Sequence, residues 1–271
     1  MKTMIAGLAF AFTIAATAAT AQPVAFPANE MGVTMGHWHL NSVSVEANQK
    51  LLTAMGGTAL KPGDFNLVRF PGVFVFLHLR QTGTPPTGGT EGSIVNHVGL
   101  TVPNVQEAVG KWKAAGVPVA SGNNGRVDQA WVTTADGLRI EILEDKPQGM
   151  PVRCEHVHFY VAEQAIAPMQ AWYVKQFGAK PGMRNEAPVA DIPGAQLRFA
   201  KSTAPVVTTK GRILDHIGFD VTDLRGFLKK LEADGVTIAQ GFTPGPLGGG
   251  LAFIYDPWGT YIELNERPKP L

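Results

Sequence analysis

The chain has 271 residues and a formal net charge of +1, with 23 Lys and Arg against 22 Asp and Glu. These charges are scattered and form no basic stripe, so the composition argues against a nucleic-acid partner. Cys154 is the only cysteine, which excludes an intramolecular disulfide and leaves packing as the source of stability.

The start of the chain, residues 1–21, predicts a cleavable secretory signal. Lys2 precedes an apolar stretch from Met4 to about Ala16, and small residues continue to Ala21, after which cleavage is expected. The apolar stretch is shorter than the roughly 20 residues of a membrane span, which argues against an anchor. We therefore expect a periplasmic or secreted protein with no membrane span after cleavage.

Four short histidine-containing segments repeat along the rest of the chain. They read GHWHLNSV, NHVGLTV, EHVHFYV and DHIGFDV. His37 and His97 are 60 residues apart, as are His156 and His216, and each member of the first pair lies 119 residues before its counterpart in the second. This registration predicts four copies of one unit, nested as two halves.

Each unit has the pattern of a βαβββ module. An alternating strand comes first, a helix such as VQEAVGKWKAAG follows and ends at glycine, and three short strands complete the unit. The predicted fold is α+β, with four modules paired into two domains, each a curved mixed sheet that forms a cup. The domains are expected at residues 33–146 and 152–267, with EDKPQGMPV as the linker.

Alternation along the strands predicts one apolar face and one polar face. In the third module Val157, Phe159 and Val161 would face the core, while His156 and His158 would face the cup. Two imidazoles and one carboxylate that leave open positions suit Fe(II) or a similar divalent ion. If neighbouring modules pair, the first-choice ligand set is His156, His216 and Glu263, and the second set is His37, His97 and Glu141. The alternative is a pair of polar-walled cups without a metal.

These motifs resemble the vicinal oxygen chelate superfamily, which includes glyoxalase I, extradiol dioxygenases, fosfomycin-resistance proteins and bleomycin-binding proteins. The likeness lies in the first-strand segments NHVGLTV and DHIGFDV and the last-strand segments ADGLRIEIL and DPWGTYIEL, and it covers nearly the whole mature chain. It implies that the strand-one histidines and the last-strand glutamates bind a divalent metal. Phe76 and Arg198 stand where the even modules carry Glu141 and Glu263, which implies three ligands per cup, as in extradiol dioxygenases, rather than the four of glyoxalase I.

Other side chains are candidates for roles beside the metal. His39 and His158 each follow a proposed ligand by two residues, so they are candidates for proton transfer or for support of the ligands by hydrogen bonding. Possible substrate contacts are Tyr160, Arg198 and Tyr261, and His78 is a further candidate in the N-terminal cup. Cys154 has the parity of a cup residue, and we expect a packed strand cysteine, with a sulfur ligand as the alternative.

The leading functional hypothesis is an exported metal-dependent enzyme that acts on a small substrate with two adjacent oxygens. Extradiol-type dioxygenation favours Fe(II) or Mn(II), with Zn(II) or Ni(II) as alternatives. A second hypothesis is isomerase or lyase chemistry of the glyoxalase type, in which the metal acts as a Lewis acid. A third is a non-catalytic binding protein for a small molecule, as in the bleomycin-binding relatives. The sequence is compatible with a monomer or a homo-oligomer.

Overall fold

The structure is a computed structural model that describes residues 26–79, 85–246 and 248–266. The predicted signal peptide at residues 1–21 lies outside the described residues, as does residue 267, the predicted end of the second domain. Within the described ranges the chain has sixteen strands and four α-helices, in the order βαβββ repeated four times. This order confirms the predicted α+β fold of four modules.

Each module contributes four strands. The strands of the first two modules are β1 (Val33–Ser42), β2 (Thr58–Leu60), β3 (Asn66–Phe70), β4 (Val73–Leu79), β5 (Val95–Val102), β6 (Val119–Ser121), β7 (Gln129–Thr133) and β8 (Arg139–Glu144). The strands of the last two are β9 (Arg153–Val161), β10 (Lys180–Arg184), β11 (Ala187–Ile192), β12 (Ala195–Lys201), β13 (Leu214–Val221), β14 (Thr237–Pro244), β15 (Gly250–Tyr255) and β16 (Tyr261–Glu266).

An α-helix follows the first strand of every module. The helices are α1 (Val45–Ala54), α2 (Val105–Ala114), α3 (Ile166–Phe177) and α4 (Leu224–Ala233). The side chains of Asn104 and Asp223 accept hydrogen bonds from backbone N–H groups in the first turns of α2 and α4. Gly116 and Gly235, the predicted helix ends, have φ values of 82° and 75°. Among the described residues no helix combines the length and the apolar character needed to cross a membrane.

The strands form two eight-stranded mixed sheets, and each sheet takes one module from either half of the chain. The strand orders are β14-β15-β16-β13-β1-β4-β3-β2 and β10-β11-β12-β9-β5-β8-β7-β6. The first module therefore pairs with the fourth through antiparallel β1 and β13, and the second pairs with the third through β5 and β9. The two units are not the consecutive ranges 33–146 and 152–267 that the sequence predicted.

The connections between modules explain this pairing. Four equivalent modules keep the same repeat spacing in either arrangement, so the spacing alone does not choose between them. The short segment between Glu144 and Arg153 joins two modules of one sheet, whereas the segments before β5 and β13 cross from one sheet to the other. The two crossing segments bind each other, since the Ile213 N–H donates to the Gly88 carbonyl at 3.0 Å and the Ile94 N–H donates to the Val207 carbonyl at 3.0 Å.

One apolar core joins both sheets. The ring of Phe177 in α3 lies 4.6 Å from that of Phe219 in the first sheet, while Tyr173 of the same helix lies 5.2 Å from Phe159 in the second. The residues predicted to face the core from β9, namely Val157, Phe159 and Val161, are all buried in it. The opposite face of each sheet is left for the polar side chains.

Candidate metal centres

The ladders between first strands shift register directly before each repeated histidine. In β1 and β5 the shift falls between Met35 and His37 and between Val95 and His97. In β9 and β13 one residue is likewise passed over beside the histidine. The extra residues are Gly36, Asn96, Glu155 and Asp215. One-residue bulges of this kind re-aim a side chain, and here they turn the histidines away from the core.

Cys154 is a packed strand cysteine, as predicted, although the bulge in β9 changes the face assigned to it. Strict alternation predicted that Cys154 lies on the same face of the sheet as His156. Because Glu155 is an extra residue between them, Cys154 lies on the opposite face. Cys154 packs in the apolar core with 2% of its surface exposed, and burial raises the pKa of its thiol. It is a packed cysteine, and it belongs to neither histidine cluster of the described chain.

The first site, defined by His37, His39, His216 and Glu263, lies where β1, β13 and β16 run side by side. Glu263 Oε2 is 2.8 Å from His216 Nε2 and 3.3 Å from His37 Nε2. His216 Nδ1 faces Asp215 Oδ1 at 2.7 Å. The ring of His39 lies 4.4 Å from that of His216. One carboxylate oxygen is thus shared by two imidazoles, with a third imidazole beside them.

The charges of the first site stabilise one another. Burial disfavours a charged His216, but hydrogen bonds with Asp215 and Glu263 outweigh it and raise the pKa of His216 to about 9. Burial also opposes ionisation of Glu263, yet His37 and His216 hold its pKa well below the usual value. His39 differs, because burial, followed by repulsion from His216 and His37, keeps its pKa well below the ordinary value. His39 is therefore a neutral imidazole at physiological pH.

Aromatic side chains surround the first site. The ring of Phe76, on β4, stacks on that of His39 at 5.7 Å. On the other side Phe253 and Tyr261 stack at 4.9 Å, and Phe253 lies 5.3 Å from His216. These rings form two flat walls on either side of the histidines.

Two polar groups stand further out on the same walls. His78 has its ring 5.8 Å from that of His39, and the ammonium nitrogen of Lys210 lies 4.3 Å from the ring centre of Tyr261. A cation this close to a ring face is attracted by the ring quadrupole. The first site therefore has an aromatic interior and a polar edge.

The second site, defined by His97, Glu141, His156 and His158, lies where β5, β8 and β9 meet. Glu141 Oε2 is 3.3 Å from His97 Nε2 and 3.2 Å from His156 Nε2. His158 Nδ1 lies 3.1 Å from His97 Nε2, and Asn96 Oδ1 lies 2.9 Å from His97 Nδ1. The arrangement of two histidines around one carboxylate is the same as in the first site.

The second site carries less positive charge on its histidines. Burial lowers the pKa of His97 to about 4, although hydrogen bonding to Glu141 works in the opposite direction. Burial, followed by repulsion from His97 and His156, lowers the pKa of His158 to about 2. His97 and His158 are therefore neutral near pH 7.

Glutamate and arginine side chains line one side of the second site. The guanidinium of Arg198 binds the carboxylate of Glu155. This carboxylate also contacts His156 Nδ1. Arg184 Nη1 adds a contact to Glu155 Oε1 at 2.9 Å. Arg198 Nη1 also lies 3.8 Å from Glu141 Oε2, the oxygen that the two histidines share.

Tyr160 and Trp131 complete the surroundings of the second site. The Tyr160 ring lies 5.0 Å from that of His158, and the Trp131 ring lies 4.9 Å from that of His97. The guanidinium of Arg139 covers the Trp131 ring at 4.5 Å. Arginine side chains thus border this site on two sides.

Two glycines make room for the inner histidines. Gly218 pairs with His37 across the β1–β13 ladder, and Gly99 pairs with His156 across the β5–β9 ladder. A β-carbon at either glycine would overlap the imidazole opposite. In the sequence, Gly218 and Gly99 occupy the positions at which the odd modules carry His39 and His158. The even modules need glycine there because a side chain would overlap the opposite imidazole.

The structure regroups the predicted ligands. The first-choice set of His156, His216 and Glu263 is divided, because the modules that carry them lie in different sheets. Within the second set, His37 likewise joins the fourth module rather than the second. The observed groups are His37, His216 and Glu263 with His39, and His97, His156 and Glu141 with His158. Of the predicted substrate contacts, Tyr261 borders the first site, and Tyr160 and Arg198 border the second.

Either group has the donor atoms that a divalent ion requires. The ligand atoms of each group lie within 4.8 Å of one another. Nitrogen and oxygen ligands bind such an ion at about 2.0–2.2 Å, which puts neighbouring ligands about 3 Å apart. The separations of 2.8 and 3.3 Å around Glu263 Oε2 fit that requirement. Sequence reasoning missed the partners of the ring Nδ1 atoms, although a polar residue precedes three of the four histidines.

Comparison with known proteins agrees with this arrangement of strands. A sequence model of the Glyoxalase/Bleomycin resistance protein/Dioxygenase superfamily matches residues 155–264. This part of the chain is similar to that superfamily in sequence. The matched segment spans the third and fourth modules, so each site combines one superfamily module with a module outside the match. No curated protein matches the chain.

Solved structures with the same fold cover nearly the whole chain. Glyoxalase I from Zea mays matches with a TM-score of 0.67 and 15% identity, over 86% of this chain and 92% of that chain. A putative dioxygenase from Bacillus subtilis subsp. subtilis str. 168 matches with a TM-score of 0.63 and 12% identity, over 92% of this chain and 87% of that chain. At such low identity these likenesses establish the fold of paired glyoxalase-like domains and not the reaction.

Proposed function

We propose that the protein is a metal-dependent enzyme that acts on a small substrate with two adjacent oxygens, most like an extradiol dioxygenase. The observation that carries this proposal is the sharing of one buried carboxylate oxygen, Glu263 Oε2, between His37 and His216. Two imidazole nitrogens converge on this oxygen, and a set of two histidines and one carboxylate suits a divalent ion with positions left open for a substrate. We keep Fe(II) or Mn(II) as the favoured ions, with Zn(II) or Ni(II) as alternatives.

The ion, when bound, would polarise the two substrate oxygens as a Lewis acid. His37, His216 and Glu263 would fix its position. Asp215 holds His216 by Nδ1, so Nε2 is the atom that would bind the ion. The bulges before both histidines set this direction, so the strands themselves orient the ligands.

His39 is the proposed base of the first site. It is a neutral imidazole whose ring lies 4.4 Å from that of His216 and 6.3 Å from that of His37. A neutral imidazole can accept the proton that a substrate hydroxyl must lose before it binds as an anion. His39 is not fully buried, so the proton can pass on to solvent.

The walls of the first site support an aromatic substrate. Phe76 on one side and the stacked pair of Phe253 and Tyr261 on the other present flat apolar faces. A catechol-type ring matches such walls and carries two adjacent oxygens at one edge. The lack of a second carboxylate at Phe76 leaves three protein ligands, which is the reason for preferring dioxygenation to glyoxalase-type chemistry.

Isomerase or lyase chemistry is the second candidate, and the observation that favours it is the neutral His39. A base beside a Lewis acid is sufficient for proton abstraction next to a carbonyl, without oxygen. Non-catalytic binding of a small molecule remains the third. We also propose export, to the periplasm or outside the cell, on the basis of residues 1–21.

The test begins with the metal content of the purified protein after anaerobic reconstitution with Fe(II), Mn(II), Zn(II) or Ni(II). Oxygen uptake is then measured with a panel of catechols, beside turnover of a panel of dicarbonyl compounds. We expect one O₂ to be consumed per catechol, with both atoms of ¹⁸O₂ in the product. Conversion of dicarbonyls without oxygen uptake would favour the second candidate instead.

The matched variants are His39→Asn and His158→Asn, which change equivalent residues of the two sites. We expect His39→Asn to lose turnover while it retains metal, because it removes the base and not a ligand. Metal content far below stoichiometric with every ion would contradict any metal-dependent reaction and leave the binding hypothesis. Export is tested separately by fractionation of cells that express the full chain.

A further inference from the structure

The two sites differ at one equivalent position on the strand that borders the odd module's histidines. In the first site Phe76 of β4 pairs with His39, and in the second Arg198 of β12 pairs with His158. The two strands run parallel to their neighbours in the same register. An aromatic ring in one site is therefore replaced by a permanent cation in the other.

Arg198 is fixed in the second site by contacts from three of its nitrogens. Its Nε donates to Gln196 Oε1 at 3.0 Å, its Nη2 binds Glu155, and its Nη1 lies 3.8 Å from Glu141 Oε2. Only 8% of its surface is exposed. A guanidinium is charged at all accessible pH values, and these contacts keep the charge beside the shared carboxylate oxygen.

The first site has carboxylates without such a cation. Glu263 contacts His37, His216 and the side-chain amide of Asn265, which donates to Oε1 at 2.9 Å. Asp215 contacts His216, Asn41 and a backbone N–H. Among the described residues no Lys or Arg forms an ion pair with either carboxylate. No guanidinium or ammonium group of the described residues is therefore fixed beside these carboxylates, where it would repel a divalent ion.

We propose that Arg198 excludes a metal ion from the second site, so that the chain binds one divalent ion, in the first site. The inference rests on the proposed metal dependence and adds to it which site is loaded and why. A divalent ion bound by Glu141 would stand next to the fixed guanidinium in a buried setting, where repulsion between like charges is screened little. The guanidinium already neutralises the carboxylates that would attract the ion. The second site is thus a histidine cluster whose carboxylates are already paired with a cation of the protein.

The first experiment measures how many metal ions the whole chain binds and where. Metal-free protein is titrated with Mn(II), and free Mn(II) is followed by electron paramagnetic resonance. We expect one tightly bound Mn(II) per chain in the wild type and in His156→Ala, and none in His37→Ala. These two variants remove equivalent histidines, so each is the control for the other.

The second experiment exchanges the residues that set the difference. We expect Arg198→Phe to bind a second Mn(II), and Phe76→Arg to lose the one in the first site. Because Arg198→Phe leaves Glu155 with less compensation, the double variant Glu155→Gln/Arg198→Phe is measured beside it. Circular dichroism and thermal unfolding verify that each variant is folded.

The outcomes separate the inference from the proposed function. Two tightly bound ions in the wild type, or one ion that is lost in His156→Ala and kept in His37→Ala, would overturn the inference and leave the proposed function intact. A folded Glu155→Gln/Arg198→Phe variant that still binds one ion would also overturn it. Failure to bind Mn(II), Zn(II), Ni(II) or Fe(II) at all would overturn both.

Discussion

At one pair of equivalent histidines the preceding residue differs in charge. His216 follows Asp215, and His97, its counterpart in the repeat, follows Asn96. Burial disfavours both charged imidazoles, but the hydrogen bonds with Asp215 and Glu263 raise the pKa of His216 to about 9, whereas burial lowers that of His97 to about 4. The carboxylate of Asp215 is thus one of the charges that distinguish two geometrically similar sites.

This difference predicts a proton balance for metal binding to the first site. At pH 7 His216, with a pKa of about 9, is protonated in the metal-free protein, and its Nε2 can bind an ion only after that proton leaves. We expect Asp215→Asn to lower the His216 pKa and therefore to release fewer protons at pH 7. The release in the wild type should disappear as the pH rises above about 9, because the histidine is then already neutral.

Calorimetric titration with Zn(II) in buffers of different ionisation enthalpy measures the protons released. Asp215→Asn is also expected to bind the ion about 10–100-fold more weakly, since it removes the group that orients a ligand. Asn96→Ala, at the equivalent position of the second site, is the control. Equal proton release by the wild type and Asp215→Asn at pH 7 would contradict the assignment.

Gly218 predicts a second effect at the residue scale. A β-carbon there would overlap the His37 imidazole, so Gly218→Ala should displace that ring and remove metal from the first site. We expect a loss of about 1–3 kcal/mol in the free energy of unfolding, as is usual for overpacking. Metal analysis and chemical denaturation measure the two effects.

Gly110→Ala is the matched control for Gly218→Ala. Gly110 lies inside α2, and no atom outside the helix backbone lies within 4 Å of the place that a β-carbon would take, so alanine should stabilise the helix by about 0.5–1 kcal/mol. Metal content should not change in this variant. A Gly218→Ala protein with full metal content would contradict this prediction. It would show that β1 and β13 can move apart enough to accommodate the β-carbon.

At the scale of the strand, the bulges are what alternation alone did not predict. The buried apolar residues of β1 are Val33 and Met35 before His37, and Trp38 and Leu40 after it, so the parity of the apolar side chains changes at the histidine. The same change occurs in the other three first strands. Alternation correctly assigned the core after each histidine, because the residues there follow one unbroken ladder. It failed before the histidine, where one residue is inserted, although the change of parity is visible in the sequence.

The bulge at Glu155 makes the reactivity of Cys154 a measure of strand integrity. Because the bulge directs this thiol into the core, a disulfide reagent should react with the native protein only as fast as the strand opens. In denaturant one thiol per chain should react at once, since Cys154 is the only cysteine. Rapid reaction of the native thiol would instead place Cys154 on the solvent side of β9.

At the scale of the whole molecule, the repeat predicted the modules and their order but not their partners. The equivalence between halves holds for both pairings, so no sequence spacing distinguishes them. The groupings predicted from neighbouring modules were wrong for that reason, although the same histidines and glutamates lie together in the two observed clusters. Which histidines meet depends on which modules share a sheet, and that is set by tertiary contacts between distant parts of the chain.

The observed pairing predicts that the halves of the chain depend on each other. A fragment of residues 26–149 contains β1 and β5 without β13 and β9, and would expose the edges of both. We expect this fragment and residues 150–266 to be unfolded or associated when expressed alone, and to form a one-to-one complex when expressed together. Light scattering coupled to size exclusion distinguishes these states. A folded monomer of either fragment would contradict the pairing.

The crossed pairing also means that the molecule closes into a ring of modules. In the first sheet Val33 pairs with Val221, and Asn265 pairs with Asp220 on the other side of the same strand, so the ends of the first and fourth modules lie about 10 Å apart, two strand spacings. The second and third modules are joined across the equivalent gap by residues 145–152. A circular permutant that opens at this linker and closes the other gap with a copy of it should therefore fold to the same structure. Each module would keep its neighbours in the sheet, because the two gaps between modules are equivalent.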